Sequence, residues 1–97
     1  MDTLSKIQNW FTKQCNGDWE HGYGINISTL DNPGWAVKIN LIQTNLEEIE
    51  ISTVDIKRNE NDWIYCEVKN EMFFGYGGSG NLTEILEVFL KISEDNN

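Results

Sequence analysis

The stretch Tyr23-Gly24-Ile25-Asn26-Ile27-Ser28-Thr29-Leu30-Asp31-Asn32-Pro33-Gly34-Trp35-Ala36-Val37-Lys38-Ile39-Asn40-Leu41 alternates on both sides of a turn. Tyr23, Ile25, Ile27 and Thr29 alternate with Gly24, Asn26 and Ser28, and Trp35, Val37, Ile39 and Leu41 repeat the period after the turn. Successive strand side chains point to opposite faces, so each half reads as a strand with one buried face. Asp31-Asn32-Pro33-Gly34 supplies the turn, with proline fixing one φ angle and glycine free to take a positive one. Residues 22 to 42 therefore read as a β-hairpin.

On the N-terminal side, Leu4, Ile7, Trp10 and Phe11 fall at helical spacing. Asp2 or Thr3 can cap this amphipathic helix, and Gly17 stops it soon after Gln14. On the C-terminal side, Ile49, Ile51 and Thr53 alternate with polar neighbours and predict a third strand around Ile49 to Ile56, ended by polar Lys57-Arg58-Asn59-Glu60-Asn61. Trp63 to Lys69 predict a fourth strand with Ile64, Cys66 and Val68 on one face. An Asn70-Glu71 turn then leads into a fifth, Met72-Phe73-Phe74-Gly75-Tyr76. After Gly77-Gly78-Ser79-Gly80, Asn81 as cap with Glu84 three places later forms a capping-box pattern before the helical stripe Leu82, Ile85, Leu86, Phe89 and Leu90. Residues after Ser93 are expected to fray. The sum is an α+β domain: an N-terminal helix, an antiparallel sheet of about five strands in a meander, and a C-terminal helix, with both helices on one sheet face.

A chain of 97 residues supports one core and one domain, residues 1–97. Met1-Asp2-Thr3 leads directly into an amphipathic segment, and no apolar run approaches membrane-spanning length, so a cytoplasmic protein is expected. Cys15 and Cys66 lie far apart without metal or redox spacing and read as free thiols. The 16 acidic against 7 basic residues give a formal charge of −9. That charge repels nucleic acid and anionic membranes and attracts basic protein surfaces.

Several constellations invite chemistry and stop short of it. Asp18, Glu20 and His21 have metal-ligand chemistry, but such closely spaced ligands rarely converge on one ion unaided; no metal or other cofactor is assigned. Cys15 beside His21 suggests a nucleophile and base without an orienting third member or an oxyanion hole. Residues 75–81 precede a helix as a phosphate cradle would, yet no lysine follows to complete a Walker motif, and close packing explains the glycines as well. Trp10, Trp19, Trp35, Trp63, Tyr65, Phe74 and Tyr76 exceed what one small core encloses, so some rings must reach the surface. Exposed aromatics bordered by carboxylates suit an interface with a basic partner.

Asn9-Trp10-Phe11 with Gln14-Cys15-Asn16-Gly17-Asp18-Trp19-Glu20-His21, Gly24-Ile25 and Thr29-Leu30-Asp31-Asn32-Pro33-Gly34-Trp35 resembles the bacterial immunity protein 53 family. The resemblance implies a small cytoplasmic antidote of a polymorphic toxin system, which binds and neutralises a cognate toxin and catalyses nothing. With the acidic balance, it suggests occlusion of a basic, nuclease-like active site. Asp18, Trp19, Glu20, Asp31 and Trp35 are the first toxin-binding candidates, since the hairpin ends gather polar and aromatic groups; the same residues suit a purely architectural role. The rival expectations are a small hydrolase or sulfur-transfer enzyme built on Cys15 and His21, and a small-ligand binding module.

Overall fold

The computed structural model describes residues 2–96. Along these residues run α1 (Thr3–Gln14), α2 (Trp19–Gly22), β1 (Ile25–Leu30), β2 (Gly34–Asn40), β3 (Val54–Asn59), β4 (Asp62–Lys69), β5 (Met72–Gly77) and α3 (Leu82–Asp95). All five strands join one sheet in the order β1-β2-β5-β4-β3, and every neighbouring pair is antiparallel. The N-terminal helix, antiparallel sheet and C-terminal helix follow the expectation, but the strands are not one continuous meander. A β1–β2 hairpin and a β3–β4–β5 meander meet where β2 pairs with β5.

Strand chemistry accounts for that order. β5 carries no charge and takes the centre, whereas β3 carries Asp55, Lys57 and Arg58 and lies at an edge, where polar side chains stay solvated and discourage further pairing. The connection 41–53 crosses the sheet end between β2 and β3. Leu41 donates its amide to the Glu71 carbonyl at 2.9 Å, and Leu46 is sunk in the core at 0 % exposure. The third strand accordingly starts later than the alternation of Ile49 and Ile51 suggests. Ile49 packs on the core from within the connection, while Lys57-Arg58-Asn59, expected to break the strand, continue it along the edge.

One sheet face is covered. Cross-strand neighbours share a face, so Ile25, Ile39, Phe73 and Val68 form one row, and Ile27, Val37, Gly75, Cys66 and Val54 the next. α3 lies close against these rows: a Cβ at Gly75 would stand 2.4 Å from the Ile85 Cγ2 atom, so only glycine admits the helix there. α1 packs on α3 through Trp10 and Phe89, whose ring centroids stand 4.9 Å apart at 88°. Asp2 caps α1 by accepting the Ser5 amide at 2.7 Å, and Gly17, at φ +90°, turns the chain out of it.

Local chemistry departs from expectation in three places. The hairpin turn is Asp31-Asn32-Pro33, and Gly34 already belongs to β2; no positive φ is required of it, but a Cβ there would lie 2.3 Å from the Gly77 carbonyl oxygen. His21 lies in α2, a single helical turn with no counterpart in the sequence reading. Asn16 Oδ1 starts that turn by accepting the Asp18 and Trp19 amides at 3.0 and 2.9 Å. α3 continues past Ser93 to Asp95, where Asn96 Nδ2 donates to the Ile92 carbonyl; Asn97 lies outside the described residues.

Candidate binding face

Among the described residues no helix lies over the opposite sheet face, and Trp63, Tyr65, Phe74 and Tyr76 collect there. Asn70 and Glu71, both at positive φ, form the turn that sets Lys69 opposite Met72 and hence Tyr65 opposite Tyr76. Across the sheet, Ser28, Ala36, Tyr76, Tyr65 and Asp55 share one row, flanked by Lys38, Phe74 and Glu67 on one side and by Trp63 opposite Lys57 on the other. Trp63, Tyr65, Phe74 and Tyr76 are all half-buried. A concavity of about 640 Å³ lies among Leu30, Asn32, Asp55, Glu60, Trp63, Tyr65 and Tyr76. Its walls are aromatic, its rim holds Asp55, Glu60 and Lys57, and exposed Asp31 adjoins it through Leu30 and Asn32.

A polar clamp fixes one end of this face. Arg58 donates to Glu84 through two nitrogens at 3.1 and 2.6 Å and to Asp62 at 2.8 Å. Asn81, 7 % exposed, donates to Asp62 at 2.9 Å and Glu84 at 3.1 Å, and its Oδ1 accepts the Trp63 amide at 3.4 Å. Asn81 therefore occupies the N-cap position of α3 without the expected capping hydrogen bond, its side chain being used to tie helix to strand. The Arg58 guanidinium, then Asn81, holds the Glu84 carboxyl below its ordinary value. Asn81 and then Arg58 do the same for Asp62, and the two carboxylates raise Arg58 further. In the sequence Arg58 reads only as part of the polar run that ends the third strand, and the clamp is not visible there because it joins residues far apart in the chain.

The five toxin-binding candidates fall at two sites. Asp18, Trp19 and Glu20 lie at the α2 end of the β1–β2 hairpin and Asp31 and Trp35 at its turn, separated by the length of β1, about 17 Å. Trp19 is 1 % exposed and donates its indole N–H to the Ile42 carbonyl at 2.8 Å, so its ring has no surface to offer. Trp35 shares the covered face with Thr29 and Gly77, half-buried, and its indole N–H reaches the Ser79 carbonyl at 2.9 Å. The Glu20 carboxylate accepts the Asn16 and Gly17 amides; its own backbone N–H first, then these two, hold its pKa down. Asp18 and Asp31 are exposed.

Neither thiol is arranged for attack. Cys15 Sγ donates to the Phe11 carbonyl at 3.3 Å. Cys66 is fully buried, and burial, with a smaller contribution from Glu84, pushes its pKa up to about 12, far from thiolate formation at neutral pH. No described helix is long and apolar enough to cross a membrane.

Fold and face together define a small α+β domain whose distinctive surface is an aromatic concavity on an uncovered sheet. The chain belongs to the immunity protein 53 family, whose model matches residues 4–94, and membership implies an immunity function exercised on a toxin. Neither the curated proteins nor the solved structures yield a match.

Proposed function

We propose that this protein neutralises its cognate toxin by stoichiometric occlusion, with the open sheet face as the contact surface. The observation that carries the reading is the concavity walled by Trp63, Tyr65 and Tyr76 in a member of an immunity family. Tyrosine and tryptophan in a concave, partly desolvated site are the residue types that dominate binding energy at protein interfaces. The surrounding surface adds long-range attraction: a chain of net charge −9 draws a basic domain, such as a nuclease whose groove binds phosphate, faster than a neutral chain would.

Within this reading, Tyr65, Tyr76 and Trp63 are anchors, Asp55, Glu60 and Asp31 meet basic side chains at the rim, and complex formation occurs in the cytoplasm. Trp19 and Trp35 act on the architecture, while Asp18 and Glu20 stand at the far end of the hairpin. Binding rather than turnover is supported by the buried Cys66 and by Cys15 hydrogen-bonded to its own helix. The concavity also has the volume of a small-molecule site, which favours a ligand-binding module as the second reading.

The test is capture and rescue. Tagged protein is used to retain partners from lysate of its own cells at ~20 mM and ~300 mM salt, and each retained chain is then produced alone and together with this protein. The expected result is a basic chain that arrests growth alone, is neutralised by co-production, and dissociates more readily at high salt. Tyr65→Ala/Tyr76→Ala should abolish the rescue with the circular dichroism spectrum unchanged, while Asp18→Asn retains it. Full rescue by the folded double-alanine variant would exclude the open face.

A further inference from the structure

We infer that the aromatic concavity is a receptor for one arginine side chain of the toxin, taken with its guanidinium on the ring wall beside Asp55. The inference rests on the reading of the open face as the toxin-contact surface, and it names the chemistry of what enters there.

The concavity is a gap in the side-chain layer of the open face. Leu30 pairs with Gly34 across β1 and β2, and Lys57 with Trp63 across β3 and β4. Between these pairs, one step past the end of β5, stands Gly78, whose amide donates to the Trp63 carbonyl at 3.2 Å. Only Gly34 and Gly78 therefore lie between Leu30 and Trp63, and neither position admits a side chain. A Cβ would run into the Gly77 carbonyl oxygen at the first and the Asn61 carbonyl oxygen at the second. In the next row Ala36 precedes Tyr76 and Tyr65. The result is a slot about 14 Å across, three strand spacings. Its floor is backbone, with Leu30 on one side and the rings of Trp63, Tyr65 and Tyr76 on the other.

Charge decides which kind of side chain suits this slot. Asp55 shares the row of Tyr65 and Tyr76, Glu60 lies on the turn between β3 and β4, and Asp31 adjoins the opposite wall. Among the described residues none of these three carboxylates takes part in an ion pair or a side-chain hydrogen bond, whereas Asp62 and Glu84 are engaged by Arg58 and Asn81. Lys57 is the single cation lining the slot, and the carboxylates outnumber it. An anionic side chain is repelled there. A purely apolar one would strip water from the carboxylates without replacing it. Of the two long cations, arginine matches both halves of the site. Its plane stacks on aromatic faces, its fork pairs with a carboxylate through two N–H groups, and it is more weakly hydrated than an ammonium. A toxin whose groove binds phosphate carries that residue at the place to be blocked.

The test uses the full chain and three probes: N-acetyl-arginine methylamide, its citrulline counterpart, which keeps the shape and lacks the charge, and its lysine counterpart. Each is titrated to ~50 mM while the Trp63 indole N–H signal and the Tyr65 and Tyr76 ring signals are followed by nuclear magnetic resonance. The arginine probe should shift these signals saturably, binding ~10-fold more tightly than the citrulline probe and ~3-fold more tightly than the lysine probe. Asp55→Asn should weaken its binding and Lys57→Met strengthen it, each by about 3-fold. An apolar occupant would respond to neither substitution, and an acidic one in the opposite sense. Failure to saturate, equal binding of the citrulline probe, or absence of the two opposed effects overturns the inference. Rescue from the toxin separates that failure from failure of the parent reading. If Tyr65→Ala/Tyr76→Ala loses rescue and the arginine probe does not bind, the open face stands and the arginine is removed. If the probe saturates yet the double-alanine variant rescues fully, the toxin contact falls, and the toxin arginine with it, while the slot keeps its preference for a cation.

Discussion

The two faces of the sheet are made from the same strands by alternate residues, yet they are built on different principles. The covered face is mainly aliphatic, with Val37, Ile39, Cys66 and its one phenylalanine, Phe73, at 0 % exposure, and it is relieved by Gly75 and Gly77 where α3 presses in. The open face carries Trp63, Tyr65, Phe74 and Tyr76, large rings with a polar end in three of the four, none fully enclosed. A ring that tolerates both water and a partner suits a surface that is wet in one state and buried in another. The covered face thus accounts for folding, and the open face is available for function.

Truncation on each side gives the sharpest break. Phe73→Ala removes a side chain at 0 % exposure whose ring stands 5.3 Å from Phe89, and chemical denaturation should register a loss of about 4 kcal/mol. Tyr76→Ala, three residues along the same strand and on the opposite face, should cost about 1 kcal/mol or less in that assay and weaken toxin binding by ~30-fold or more. Equal stability losses in the two variants would erase the distinction between the faces.

A smaller contrast lies within the core itself. Trp10 and Trp19 meet edge to face with centroids 6.1 Å apart, but the Trp19 indole N–H is bonded to the Ile42 carbonyl, whereas that of Trp10 is buried without a partner among the described residues. Trp19→Phe strands a carbonyl as well as losing volume, so it should cost about 2–3 kcal/mol. Trp10→Phe removes a donor that was unpaired and should cost at least ~1 kcal/mol less in the same denaturation series.

The clamp at the rim joins the two faces and gives a pH signature. Asp62 and Glu84 are held below their ordinary values when folded, so their contribution is complete above the unfolded carboxylate range and disappears as pH falls through the folded values. Thermal melts of wild type and Arg58→Ala should therefore differ most above about pH 5 and converge toward about pH 2. Asp62 should contribute the smaller share of the gap, since Asn81 is the larger cause of its depression and survives the substitution. A melting-temperature gap that stays constant down to pH 2 would mean that Arg58 acts through packing of its stem.

The covered face was legible in the sequence because period-two alternation reports burial on one side, and the hairpin and fourth and fifth strands followed from it. β3 was not, since an edge strand needs little apolar patterning; Lys57 and Arg58 read as a breaker although their backbones pair normally with β4. Trp19 was read as an interface residue because nothing local distinguishes a ring that enters the core from one that leaves it. The signal that could have placed it is Asn16-Gly17-Asp18 ahead of Trp19-Glu20, where Asn16 and Glu20 exchange caps and start α2. The aromatic surplus was legible as a number of rings, but their convergence depends on β2 pairing with β5, a long-range fact.

The turn that aligns those rings offers the smallest test and bears on both faces at once. Asn70 and Glu71 sit at φ 54° and 61°, the left-handed pair that a two-residue hairpin demands. Asparagine is at ease there; glutamate is not, because its Cβ crowds the backbone, a strain of about 1 kcal/mol. Glu71→Gly relieves the strain but gives the unfolded chain more freedom, so the net gain should be a few tenths to about 1 kcal/mol. The Glu71 carbonyl that accepts the Leu41 amide is backbone and survives the change. Because this turn fixes both the Tyr65–Tyr76 and the Val68–Phe73 pairs, a stabilised turn should raise the melting temperature slightly while leaving toxin binding within about twofold of wild type. Tighter binding in proportion to the added stability would instead show that the open face is only partly ordered before its partner arrives.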